Sequence, residues 1–197
     1  MLKIAIPTHV LKAAINCAAN KDVRYYLNGV HVRVEEDGST YIESTDGSMV
    51  FQDQLIHLYT EQKGSFSIII PLDAVNSAVK EKTLELVLQA LDGGRYSLGN
   101  VMFTALDGRF PDLERIVPSK DEYFGPAPTF NADLLATCQK ALREATLHKN
   151  GVFRLFGKYD GGSMAAPTML MAPRGATFPR CVIAGYVASK TVDSRKV

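Results

Sequence analysis

The chain has 197 residues, enough for one large domain or two small ones. Hydrophobic residues make up 46% and charged residues 22%, the composition of an ordinary soluble globular protein with a core of normal size. The formal net charge of +1, from 22 Lys and Arg against 21 Asp and Glu, removes bulk charge as a reason to expect nucleic acid, although one basic face can be offset by an acidic one.

The opening MLKIAIPTHV has one lysine and a short apolar run, and it is not expected to act as a signal peptide. No stretch reaches the ~18–20 apolar residues of a membrane span, so no membrane partner is expected. Cys17, Cys138 and Cys181 are odd in number, far apart and without a CxxC pair. They read as buried, reduced thiols, which suits a cytoplasmic setting.

In chain order, a short strand over Leu2 to Pro7 leads into a helix. Val10, Leu11, Ala14, Ile15, Ala18 and Ala19 supply its i, i+3, i+4 stripe, and Thr8 is a candidate cap. Tyr26 to Glu36 alternates Val30, Val32 and Val34 with polar residues, the pattern of a strand with one buried face. Asp37-Gly38 signals a hairpin, Thr40 to Ser44 the return strand, Thr45 to Ser48 a turn, and Met49 to Leu58 a further strand.

A second unit repeats this grammar. Phe66 to Pro71 is a strand and Leu72 to Lys82 a short helix. Thr83 to Ala90 alternates, with Leu84, Leu86 and Leu88 expected inward. Asp92-Gly93-Gly94 turns the chain into strands at Arg95 to Leu98 and Val101 to Leu106. Ser119 to Pro128, with Gly125 and two prolines, is the best linker in the chain. A third unit then opens with a helix over Ala132 to Lys149, striped by Leu134, Leu135, Cys138, Ala141, Leu142 and Ala145. Strands follow at Gly151 to Tyr159, Thr168 to Ala172 and Pro179 to Ala188. Three such strand-helix-three-strand units predict an α+β fold, with helices on one face of antiparallel sheets.

Four passages, in order, carry a resemblance. They are Asp22-Val23-Arg24-Tyr25-Tyr26-Leu27-Asn28-Gly29, then Ser44-Thr45-Asp46-Gly47, then Leu106-Asp107-Gly108-Arg109-Phe110-Pro111-Asp112, and last Arg115-Ile116-Val117-Pro118. Together they resemble the second domain of the bacterial sliding clamp, the β subunit of DNA polymerase III. Residues 129–188 resemble part of the third domain, mainly through the helix around Asp133-Leu134-Leu135. The resemblance implies a DNA-clamp-like fold with a clamp-type domain over 1–118, a linker over 119–128 and a half domain over 129–197. The expected form is a shortened clamp, with a phage or mobile element as one conceivable source.

The function it implies is a processivity factor that binds duplex DNA without reading sequence and docks polymerases or repair proteins by a short clamp-binding peptide. The competing reading is a clamp-derived adaptor or decoy that binds such peptides without encircling DNA. Arg24, Tyr25 and Tyr26 are the implied DNA contacts, since Arg and Tyr can reach phosphate and sugar oxygens without base readout. Lys12, Lys21, Lys140 and Arg143 are candidates for a positive channel surface. The implied peptide groove comprises Leu27, Thr45, Gly47, Val50, Pro111, Arg115 and Ile116. Ser48 and Met49 stand where the family carries His-Arg, and Met49 is expected to enlarge the apolar floor.

A lone third unit would leave an open sheet edge and a helix without a covering neighbour, so a homo-oligomer is expected. His9, His31, His57 and His148 show no metal spacing. Asp46, Asp107 and Asp112 sit in turn chemistry that favours aspartate. The reading is therefore of a protein that is not an enzyme and uses no cofactor.

Overall fold

The computed structural model describes residues 2–55, 64–115, 131–147, 153–157, 168–173 and 180–184. The first unit comprises strand β1 (Lys3–Pro7), helix α1 (Thr8–Cys17), a 3-10 turn (Tyr25–Leu27), and strands β2 (Gly29–Val34), β3 (Thr40–Thr45) and β4 (Met49–Leu55). The second comprises β5 (Phe66–Pro71), α2 (Leu72–Ala78), β6 (Glu85–Ala90), β7 (Tyr96–Leu98) and β8 (Val101–Phe103), followed by a 3-10 turn (Leu113–Arg115). The third comprises α3 (Ala132–Thr146), β9 (Phe153–Gly157), β10 (Thr168–Pro173) and β11 (Arg180–Ala184). All strand pairings are antiparallel, as the α+β reading requires.

The first two units exchange their opening strands. β1 pairs with β6 in a sheet of order β1-β6-β7-β8, and β5 pairs with β2 in a sheet of order β5-β2-β3-β4-β11-β10-β9. Neither unit completes its sheet alone. The third unit joins the same large sheet, because β11 zips onto β4 from Arg180 opposite Gln52 to Ile183 opposite Met49.

That pairing corrects one expectation. α3 does not lack a neighbour: it packs on α1, and Cys138, Ala141, Leu142 and Ala145 are buried in the chain's main core. α3 is capped as its sequence suggests, with the Asn131 side chain accepting from the Asp133 N–H at 2.9 Å. It ends at Leu147 in left-handed backbone, φ 57°. The expected continuation through His148 and Lys149 lies outside the described residues, as do the 119–128 linker and the polar tail.

Other differences have local causes. Thr8 does not cap α1; it is the helix's first residue, Pro7 takes the cap position, and the buried Thr8 Oγ1 has no hydrogen-bond partner. Leu84 is not inward: it precedes β6 and is 90% exposed, while Leu86 and Leu88 are buried as expected. β2 does not have one buried face but two. Val30, Val32 and Val34 face the helices, and His31 on the other side stacks on Phe110 at 4.5 Å between ring centroids. The segment after β8 folds back over the outer face of the large sheet. It is tied there by the Leu106 N–H donating to the Ile69 carbonyl at 3.0 Å and by Leu113 burial.

Candidate functional site

Strand alternation divides β4 between two cores. Met49 and Phe51 point into the main core with the helices, while Val50 points outward. There Val50 joins Ala19, Leu27, Ile69, Phe110 and Leu113 in a separate apolar cluster, with Tyr26 and Leu106 half-buried against it. Leu27 and Val50, both expected in the groove, therefore meet on the outer face of the sheet. Met49 does not join them: its Sδ lies 3.9 Å from the Cys138 Sγ, on the opposite face. It cannot enlarge the groove floor, because a neighbour in a strand must face the other way.

The rim is built from turn chemistry. Thr45 Oγ1 donates to the Met49 carbonyl at 2.7 Å and accepts from the Gly47 N–H at 3.0 Å. Asp46 accepts from the Ser48 and Met49 N–H groups at 2.7 and 2.9 Å. Thr45 is thus buried and fully engaged in shaping the turn, and Ser48 is exposed beside it. Gly47 has φ 91°, and a Cβ there would lie 2.7 Å from an Arg24 guanidinium nitrogen. On the far side, Pro111 is half-buried and Arg115 is exposed, its Nε 3.0 Å from Asp112. Ile116 lies outside the described residues.

The Arg24 corner borders this rim. Arg24 donates to both Asp22 carboxylate oxygens, at 3.0 and 2.7 Å, and to the Asp46 carbonyl at 3.1 Å. The guanidinium holds the Asp22 carboxyl down to about 2. Tyr25 is half exposed and meets Tyr26 edge-on at 5.8 Å. Lys12 is exposed on α1, Lys140 and Arg143 on α3, and Lys21 in the loop before the corner. The packing of α1 on α3 brings their helices side by side, whereas Arg24 and Tyr26 touch the groove instead.

Sequence reading missed a polar network beside the groove. Glu43 is 1% exposed and accepts from Gln52 at 2.7 Å and Arg33 at 2.9 Å, with His31 Nδ1 at 2.8 Å. Burial pushes its carboxyl up, but the hydrogen bonds from His31, Arg33 and Gln52 outweigh this and bring it down to about 2. Gln52 also donates to Glu114 at 2.9 Å, which ties the Leu113–Arg115 turn to the sheet. The missed floor residues Phe110 and Leu113 follow one another at i, i+3, a spacing that hints at a shared face without revealing which sheet they cover.

A family model described as DNA polymerase III beta subunit, central domain, matches residues 5–112. The chain belongs to the sliding-clamp family. It is 28% identical to the beta sliding clamp of Escherichia coli K12 over 172 residues, covering 78% of this chain and 42% of that protein. It is 37% identical to the Vibrio cholerae beta sliding clamp over 109 residues, covering 51% of this chain and 28% of that one. The chain therefore spans less than half the length of these curated relatives.

Solved clamps share the fold. The Pseudomonas aeruginosa DNA polymerase sliding clamp superposes with a TM-score of 0.68 at 16% identity, over 94% of this chain and 67% of that one. The Helicobacter pylori beta clamp, in a structure with a DNA ligase peptide bound, gives 0.63 at 13% identity, over 94% and 65%. No helix among the described residues is long and apolar enough to cross a membrane.

Proposed function

We propose that this chain is a non-enzymatic clamp-like processivity factor, in which residues 1–118 act as a clamp-type domain and residues 129–197 as a half domain joined to it. Partner proteins dock by a short peptide in the outer-face groove. The observation that carries this reading is the convergence of Leu27 and Val50 with Phe110 and Leu113 in one apolar cluster, beneath a rim of Thr45, Gly47 and Pro111. A cluster of that kind supplies an apolar anchor site, and the polar atoms of the rim can orient a peptide backbone. The peptide-bound Helicobacter pylori clamp supports the same mode. Duplex DNA is held through phosphates by Arg24, Tyr25, Lys12, Lys21, Lys140 and Arg143, without sequence preference. The assembly is a homo-oligomer.

The test is fluorescence polarisation of a labelled peptide with adjacent Leu and Phe anchors. Leu27→Asp should abolish binding, because an unpaired charge would be buried in the cluster. Val50→Ala should weaken it with the fold kept, as checked by circular dichroism. Unchanged affinity in a folded Val50→Ala and a folded Leu27→Asp would reject the groove.

One observation favours the adaptor reading as the second choice. Arg24 is already paired with Asp22, and Asp73 is exposed in the first turn of α2, so both places offer less positive field than a DNA channel needs. No detectable duplex binding at low salt, with peptide binding intact, would select the adaptor.

A further inference from the structure

Cys17, Cys138 and Cys181 come from three different elements: the last turn of α1, the middle of α3, and β11. Their sulfurs all lie within 4.8 Å of one another, and each residue is 0% exposed. A fourth sulfur stands beside them, the Met49 Sδ at 3.9 Å from Cys138 Sγ. Cys181 Sγ also reaches the Cys138 carbonyl at 3.6 Å, which fixes β11 against α3. Among the described residues this is the one group of histidine, cysteine or carboxylate side chains arranged closely enough to hold a metal ion.

We propose that these three thiols form a binding site for a soft, closed-shell metal ion, Cu(I), with Met49 as an auxiliary thioether donor. The geometry is near to what such an ion needs. Metal–thiolate bonds of ~2.3 Å set three sulfurs about one ion ~4 Å apart, so shifts of under about 1 Å close the site. The donor set chooses the ion. Thiolate and thioether sulfur are soft ligands that select Cu(I) over harder cations. Structural zinc takes four ligands, usually cysteine with histidine, and a catalytic zinc adds water. Here no histidine belongs to the cluster and the thiols are shut from solvent, whereas Cu(I) is satisfied by two or three sulfurs.

Binding breaks S–H bonds and forms Cu–S bonds. One Cu(I) displaces up to three protons, which pass to solvent, and no electron is transferred. Uptake therefore strengthens as pH rises. It also requires α3 or β11 to open locally, since the sulfurs are buried. Once bound, the ion links α1, α3, β11 and, through Met49, β4. It would staple the third unit to the first at the seam where β11 meets β4. This site lies on the helix face of the sheet and does not depend on the groove or DNA assignments.

The experiment uses the full chain, reduced and anaerobic, titrated against Cu(I) held by the chromophoric chelator bathocuproine disulfonate. The expected result is withdrawal of one Cu(I) per chain, a new near-ultraviolet thiolate-to-copper absorption, and a higher melting temperature that tracks occupancy. Cys138→Ala and Cys181→Ala should each lose at least tenfold in affinity while remaining folded by circular dichroism. Met49→Leu should keep the stoichiometry and lose less. Failure to withdraw copper from the chelator would overturn the proposal, as would equal uptake by the triple Cys17, Cys138, Cys181→Ala variant. A chain that takes up Zn(II) in a parallel titration but not Cu(I) would overturn the choice of ion.

Discussion

Arg24 and Asp22 grip each other side-on, Nη2 to Oδ2 at 2.7 Å and Nε to Oδ1 at 3.0 Å. The residue that the clamp resemblance aims at DNA is thus already holding a carboxylate. The Asp22 main chain is pinned in turn by Asn28, which accepts from its N–H and donates to its carbonyl, both at 2.8 Å. An approaching phosphate must compete with this neighbour for the same guanidinium.

Replacing Asp22 with Asn keeps an oxygen for the Arg24 N–H and removes the charge. We expect tighter duplex binding and a log–log salt slope steeper by ~0.9, one phosphate contact's worth. Arg24→Ala should shift both in the opposite direction. Fluorescence anisotropy of a labelled duplex across a salt series measures this, and an unchanged slope in both variants would remove Arg24 from the DNA surface. Stability should change by less than ~1 kcal/mol, since the pair is exposed.

Gly47 meets two demands at once: φ of 91°, and a guanidinium 2.7 Å from where its Cβ would stand. Gly47→Ala should cost ~1–3 kcal/mol in a denaturant titration, through backbone strain and displacement of Arg24. Because the turn shapes the groove rim, peptide affinity should fall with it. A neutral substitution would mean that the turn relaxes freely and does not set the rim.

Two buried carboxyls give opposing pH dependences. Glu43 is held down to about 2, so its stabilisation is full above its ordinary value of 4.5 and is lost as pH falls toward 2. At neutral pH this amounts to on the order of 3 kcal/mol. Burial pushes Asp53 up to about 7, so it keeps its proton in the fold and destabilises as pH rises from about 4 through 7. Urea unfolding from pH 3 to 8 should show a maximum in between. Glu43→Gln should flatten the acid limb and Asp53→Asn the upper one, with Asp53→Asn more stable than the parent at pH 8.

The sheets end on β8 and β9 as well as on β1 and β5. β8 carries Met102 outward, 66% exposed, opposite Ser97, and β6 presents Val87 on the same face, 41% exposed. An apolar sheet edge of this kind favours strand-to-strand association. Light scattering should therefore give a mass above one chain, and Met102→Lys should lower it. A single-chain mass for the parent protein would exclude the oligomer.

Much of this was legible in the sequence. The strand-helix-strand order followed from apolar periods of two and of 3.6 residues, which are local properties of the chain. So did the turns at Asp37-Gly38, Thr45–Ser48 and Asp92–Gly94, where residue chemistry dictates backbone conformation. The motifs around Arg24, Thr45 and Phe110 pointed to the family and to the groove's outline.

The tertiary structure decided what depends on which surfaces meet. Period alone said that Met49 and Val50 face opposite ways, but not which faces the groove; that needed the return of the 106–115 segment over the outer face. The covering of β2 on both sides, and with it the buried His31–Glu43 network, has the same cause. The pairing of β11 with β4 is a register between distant segments, chosen by the combined burial of both, so no local pattern announces it. That pairing covers the α3 stripe with α1, and it gathers Cys17, Cys138 and Cys181, which the sequence holds far apart, around one point in the core.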